Sequence, residues 1–166
     1  MVGVRPRNAW VIWCSFAVAL LLSVAPMPGF MDSARPLWLA LFVTYWTLAL
    51  PHCVGMTSAW LLGLAADVLT GSPLGLNALI LTFITFLVLS LHQRLRMFPL
   101  WQQSLVLLVV FGLAQLIQLW LNALTGNRPP PSMSVISFLL PALISALLWP
   151  WVFALLRAIR LRLSVN

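Results

Sequence analysis

The chain has 166 residues, of which 63% are hydrophobic and 7% charged, and its mean hydropathy is +1.06. Soluble domains are about 25% charged, so this composition excludes a soluble fold and predicts a polytopic membrane protein. The net charge is +7, but the arginines form short clusters at the ends of apolar runs, a pattern that indicates topology signals and contact with membrane lipids and argues against a nucleic-acid partner.

Proline, glycine and charged residues divide the chain into apolar runs. In chain order the predicted spans are 10–25, 36–50, 54–70, 75–91, 102–124 and 134–156, and a basic cytoplasmic tail follows at 157–166. Together they predict a single all-α integral membrane domain, 1–166, with six transmembrane helices. Several runs are short for a hydrocarbon core about 30 Å thick, so their ends must extend into flanking residues or tilt little.

The first run and the residues after the second run contain the side chains that could suggest a metal site. Cys14 lies in the first run, and His52 and Cys53 follow the second. Two neighbouring ligands do not form a zinc site, so we interpret both cysteines as small buried hydrophobic residues. The sequence therefore predicts no metal.

The third run and the turn after it contain small residues at regular spacing. Six residues follow one another at intervals of four positions: Gly55, Ala59, Gly63, Asp67, Gly71 and Gly75. In lipid, small residues four apart let two helix backbones approach closely. This stripe predicts tight helix packing, either with another helix of this chain, which we favour, or with a partner protein.

Asp67 is the acid that lies inside a predicted span. A charge there costs a few kcal/mol unless it is paired, solvated or neutral, which makes a ligand or proton role one interpretation. The other, which we favour, is that its carboxyl accepts hydrogen bonds from the turn between Thr70 and Gly75 or from Asn77. No second acid lies within a span to relay a proton.

The fifth run carries polar side chains on one helical face. Gln115, Gln118 and Asn122 are three and four positions apart, and Asn77 at the start of the fourth run is a further candidate for the same polar face. Such a face hydrogen-bonds another helix or lines a small pocket, and we favour helix packing.

The last run contains Pro141 and Pro150, which remove backbone hydrogen bonds. Beyond it, arginines alternate with leucine and isoleucine, which predicts an amphipathic end at the membrane interface. We expect this end to contact lipid headgroups, in preference to a cytoplasmic partner, through Arg157, Arg160 and Arg162.

The arginine distribution predicts the orientation. With the N-terminus inside, seven arginines lie at cytoplasmic ends, namely Arg5, Arg7, Arg94, Arg96, Arg157, Arg160 and Arg162, and two lie outside, Arg35 and Arg128. Positive charge concentrates in the cytoplasm, so both termini are predicted to be cytoplasmic. An aromatic belt is expected from Trp10, Trp46, Trp101 and Trp151 at inner ends and from Trp38 and Trp120 at outer ends.

Catalysis requires a nucleophile, an acid and base pair, or a metal, and the spans contain no such constellation. We therefore predict no enzymatic activity, no catalytic residue and no cofactor. Two classes remain, a scaffold that binds membrane partners and a subunit that binds or transports a small molecule.

Residues 63–79, GLAADVLTGSPLGLNAL, resemble the signature of the rod shape-determining MreD family, in which a Gly-Leu-x-x-Asp-x-Leu helix end leads into a Gly-x-x-Leu-Gly turn. Further similarity to proteobacterial members lies in Pro36-Leu37-Trp38, Tyr45-Trp46, Pro51, residues 92–96 and Trp101-Gln102-Gln103. The resemblance covers most of residues 36–105 and is weaker outside them.

The resemblance implies a subunit of the cell-elongation machinery in the bacterial inner membrane. Its implied partners are MreC, which is expected to bind directly, the actin-like MreB, the glycosyltransferase RodA and the elongation penicillin-binding protein. The family also resembles, in fold, the six-helix substrate-binding subunits of energy-coupling-factor transporters. Those subunits dock through an Ala-x-x-x-Ala pair on the first helix, which the first run here lacks, so the scaffold is favoured over the transporter.

Overall fold

The computed structural model describes residues 8–32, 35–132 and 134–163. In these ranges every regular element is a helix, in the order α1 Ala9–Val24, α2 Gly29–Asp32, α3 Trp38–Ala49, α4 Met56–Thr70, α5 Leu76–Met97, α6 Leu100–Leu124 and α7 Val135–Arg162. The topology arginines Arg5 and Arg7 and the last three residues of the tail, 164–166, lie outside the described residues.

The helices follow the predicted runs but several of their ends differ. α3 begins two residues after Pro36, and α5 continues to Met97, where Pro99 two residues later prevents further helix. α7 passes through Pro141 and Pro150 and reaches Arg162, so residues 157–162 extend the helix and are not a separate tail. The single turn α2 has no counterpart in the apolar pattern.

The helices fall into two length classes. α5, α6 and α7 are long and apolar enough to cross a membrane, with 22, 25 and 28 residues. α1, α3 and α4 are equally apolar but have 16, 12 and 15 residues, which at 1.5 Å per residue gives lengths of about 18–24 Å. The prediction of six spans therefore remains a prediction, whereas the all-α class is confirmed for the described ranges.

The short helix α3 lies at the centre of the bundle. It packs against α1, α5 and α7, and all its residues from Leu39 to Ala49 are buried. The prediction that Trp46 belongs to an aromatic belt is wrong, because its ring is 0% exposed and its indole Nε1 donates to Ser15 Oγ of α1 at 2.7 Å. A hydrogen bond inside the bundle satisfies the indole N–H that a belt residue would direct to water.

The start of α3 is attached to α7 by a second polar contact. The backbone nitrogen of Leu37 donates to Ser145 Oγ at 2.8 Å, and this hydroxyl donates to the Pro141 carbonyl at 2.7 Å. Ser145 is fully buried. Since the first backbone N–H groups of a helix lack intrahelical partners, the serine stabilises the α3 terminus and fixes it against α7.

The cysteines differ from their interpretation as buried residues. Cys14 is exposed on α1, and Cys53 is half-buried in the connection between α3 and α4. Partial burial raises the pKa of the Cys53 thiol. Hydrophobicity did not predict the environment of Cys14 because an apolar residue of a membrane helix is equally suited to the lipid-facing side and to the core.

Candidate functional site

The closest approach of two backbones in the stripe of small residues is at Gly63. A Cβ atom built there would lie 2.5 Å from the Ala78 nitrogen, nearer still to the Ala78 Cα, and 2.8 Å from the Asn77 carbonyl carbon. Ala78 and Asn77 belong to α5, so the surface beside Gly63 is occupied by this chain and not by a partner. Ala59, one turn earlier on α4, is also fully buried.

One turn after Gly63, the Asp67 carboxylate organises the connection between α4 and α5. It is 1% exposed, and its Oδ1 accepts hydrogen bonds from Ser72 Oγ at 2.9 Å and from the Asn77 nitrogen at 3.1 Å. Its Oδ2 accepts from the Gly75 nitrogen at 2.9 Å. These bonds connect the end of α4, the turn and the first turn of α5, where backbone N–H groups and the helix dipole favour an anion.

The remaining glycines of the stripe have other roles. Gly71 and Gly75 have φ values of +68° and +98°, in the left-handed region that glycine adopts without strain. The favoured prediction that Gly55 packs tightly against another helix of this chain is wrong, because a Cβ there meets no described atom within 4 Å; packing against a partner protein stays a prediction. Gly55 precedes the first residue of α4, so its place in the four-residue spacing does not correspond to a contact within this chain.

Three of the four residues of the candidate polar face meet at a cavity. The cavity has a volume of about 230 Å³, lies between the starts of α3 and α5, the end of α4 and the second half of α6, and is lined by Asn77, Gln115 and Gln118 together with Arg35 and Trp38. We call it the glutamine cavity. Asn122 does not line it. Three of the four residues thus line a pocket, which was the second of the two interpretations of the polar face; the favoured interpretation was packing against another helix.

One buried polar group of the glutamine cavity, the indole Nε1 of Trp38, has no hydrogen-bond partner among the described residues. Gln115, whose side chain is 6% exposed, also lines the cavity. Arg35 is held at the cavity by the C-terminal end of α1, since its Nη1 donates to the Ser23 carbonyl at 2.7 Å and its Nη2 to the Ala25 carbonyl at 2.8 Å.

A second cavity, of about 300 Å³, lies at the other end of α3. It is lined by Arg96 of α5, by Arg157 and Arg160 of α7, and by Tyr45 and Gln103. We call it the arginine cavity. Two of the predicted lipid-contacting arginines therefore face a cavity shared with a third, Arg96, that sequence reasoning had assigned to topology alone. Arg162 does not line it.

Gln103 is a residue whose role the sequence did not indicate. It is buried, its Nε2 donates to the carbonyls of Leu95 at 2.7 Å and Phe98 at 3.2 Å, and its Oε1 accepts from Trp149 Nε1 at 3.1 Å. The amide thus ties the end of α5 to α6 and α7. The available signal in the sequence was the position of Gln103, four residues after Pro99 at the break between α5 and α6. Its partner on α7, Trp149, is 46 positions away, so the sequence did not indicate the contact.

Comparison with known proteins agrees with the sequence resemblance. The family profile of the rod shape-determining protein MreD matches residues 4–159. The rod shape-determining protein MreD of Haemophilus influenzae is 38% identical over 152 residues, which cover 91% of this chain and 91% of that protein. No solved structure matches the chain.

Proposed function

The chain belongs to the rod shape-determining protein MreD family, and from this membership, which supports a role in cell shape, we propose that it is a non-enzymatic scaffold subunit of the cell-elongation complex in the bacterial inner membrane. In this proposal it crosses the membrane with both termini in the cytoplasm. It organises lateral peptidoglycan synthesis through helix contacts with MreC, and MreB, RodA and the elongation penicillin-binding protein belong to the same complex.

The observation that supports the proposal, beside the family membership, is the hydrogen-bonded turn between α4 and α5. Gly63 and Asp67 are buried against the chain itself, so they influence a partner by fixing the shape of this turn. The turn presents Leu74, which is 74% exposed, and it also contains the exposed Gly71. An apolar side chain on a turn held by charge-assisted hydrogen bonds is suited to a specific partner contact.

A photo-crosslinking residue at Leu74 tests the contact in native membranes. We expect it to capture MreC, whereas the same residue at Leu124, an equally apolar position at the end of α6 with 66% exposure, should not. Capture of MreC from Leu124 alone would move the interface to α6 and overturn the role proposed for the turn.

Cell shape tests the function itself. Removal of the protein from a rod-shaped bacterium should produce rounded, widened cells, because elongation then lacks its membrane subunit. The wild-type chain should restore the rod when it is supplied again. Unchanged cell shape after removal would refute the proposed role in cell shape. Turnover of a peptidoglycan precursor by the purified chain would refute the proposal that the protein is not an enzyme.

The glutamine cavity favours a second candidate function, the binding of a small molecule. The buried Trp38 indole N–H without a partner is the supporting observation, since buried polar groups normally have hydrogen-bond partners, and the Gln115 amide lines the same cavity. Native mass spectrometry of the purified protein should then detect a retained small molecule that Gln115→Leu removes. Gln102→Leu, on the same helix but outside the cavity, should leave it bound.

A further inference from the structure

The arginine cavity concentrates positive charge without a compensating acid. Arg96, Arg157 and Arg160 line it, and no acidic side chain of the described residues does. Asp67 is used by the turn before α5. Arg96 lies twenty positions after Leu76, so that turn is about 30 Å away along the helix. Guanidinium groups gathered in this way repel one another unless an anion accompanies them.

Arg96 is held in place by the end of the central helix. Its Nε donates to the Leu48 carbonyl at 3.2 Å and its Nη2 to the Ala49 carbonyl at 3.3 Å. These carbonyls carry the partial negative charge of the α3 C-terminus. The two bonds orient the guanidinium at the cavity and leave its remaining N–H donors for another acceptor.

A buried hydroxyl without a hydrogen-bond partner lies at the same cavity. Tyr45 is 2% exposed, and its ring is fixed by edge contacts with Trp46 and Phe153, whose centroids are 5.4 and 5.5 Å away. Its hydroxyl has no hydrogen-bond partner among the described residues. Arg160 lines the same cavity, but its guanidinium does not meet hydrogen-bond geometry with the hydroxyl. A buried donor in this state is unfavourable unless a ligand or water accepts from it.

We infer that the arginine cavity binds a phosphate group. Phosphate oxygens accept paired N–H bonds from guanidinium groups. Each unesterified phosphate oxygen accepts more than one hydrogen bond, so either a phosphodiester or a free phosphate can accept from the arginines and the Tyr45 hydroxyl together. The inference concerns binding only and is independent of the scaffold role.

The position of the cavity indicates where the phosphate comes from. Trp101 at the start of α6 and Trp151 on α7 are both exposed at this end of the bundle, and exposed tryptophans are typical of the membrane interface. The headgroups of anionic phospholipids lie at that depth. A free phosphate ion has the same chemistry, so the experiment compares the two sources.

Native mass spectrometry of the purified chain in neutral detergent measures the binding. The probes are phosphatidylglycerol, phosphatidylcholine and inorganic phosphate. The cavity variant combines Arg157→Gln with Arg160→Gln. The control combines Arg94→Gln with Arg128→Gln, which removes the same charge from residues that do not line the cavity. Tyr45→Phe tests the hydroxyl alone.

We expect wild type and control to retain phosphatidylglycerol over phosphatidylcholine, and the cavity variant to bind it at least about tenfold more weakly. Tyr45→Phe should also bind it more weakly while its melting temperature without lipid stays unchanged, because the hydroxyl has no partner to lose. Displacement of the lipid by inorganic phosphate would support the site and identify free phosphate as its ligand. Equal weakening in cavity variant and control, or wild-type binding by Tyr45→Phe, would overturn the inference.

Discussion

Replacement of Gly63 by alanine is the sharpest test of the packing between α4 and α5. The added Cβ would lie 2.5 Å from the Ala78 nitrogen and 2.8 Å from the Asn77 carbonyl carbon. The optimal van der Waals separation between two such non-bonded heavy atoms begins at about 3.5 Å, so the two helices must move apart by about 1 Å. Backbone atoms cannot turn away as the end of a flexible side chain does, so a rotamer change does not relieve the contact.

The displacement also reaches the Asp67 carboxylate. The distance from Asp67 Oδ1 to the Asn77 nitrogen is 3.1 Å, and a further ~1 Å takes it beyond hydrogen-bond range. Overpacking typically costs about 1–3 kcal/mol, and loss of a hydrogen bond to a charged group costs about 1.5–3 kcal/mol. We therefore expect Gly63→Ala to lower the free energy of unfolding by about 3 kcal/mol.

Thermal unfolding in detergent, followed by loss of the monodisperse gel-filtration peak, measures this effect. The matched control is Gly112→Ala in the interior of α6, where a Cβ meets no described atom within 4 Å. There alanine should be neutral or stabilising by up to about 1 kcal/mol, because glycine is the poorer helix former. Equal melting temperatures for the two variants would refute the close-packing argument.

Three further predictions follow from the same structure. Asp67→Asn should keep the two hydrogen bonds to Oδ1 but lose the Gly75 bond to Oδ2, since an amide nitrogen does not accept a hydrogen bond. The melting temperature of this variant should therefore fall between those of wild type and Asp67→Ala. Equal melting temperatures for Asp67→Asn and Asp67→Ala would exclude the capping role. Gly75→Ala, at a φ of +98°, should cost about 1–2 kcal/mol in chemical denaturation, with an unchanged midpoint counting against the strained turn. A membrane-impermeant thiol reagent applied outside cells lacking native cysteines should label Arg128→Cys and spare Arg96→Cys; labelling of the latter would refute the orientation.

The sequence by itself determined the helical class and the approximate positions of the helices, because apolar runs broken by proline and glycine leave few alternatives in a membrane. It also located the turn around Asp67. A buried carboxylate followed by glycines and Asn77 is a local pattern, so its hydrogen bonds form between residues at most ten apart. The resemblance at the same residues identified the family that the comparisons show.

Tertiary structure alone decided which polar and small residues meet. Gly63 packs against Ala78 whereas Gly55 packs against nothing described, although both fit the same four-residue spacing. Arg96 and Arg160 share a cavity although 64 positions separate them. Periodicity within one helix gives the direction of a side chain relative to the helix axis, but the neighbour that the side chain meets depends on how the separate helices are placed. The helices of this chain are apolar on nearly every face. Hydrophobicity therefore does not distinguish the surface that faces lipid from the surface that faces another helix.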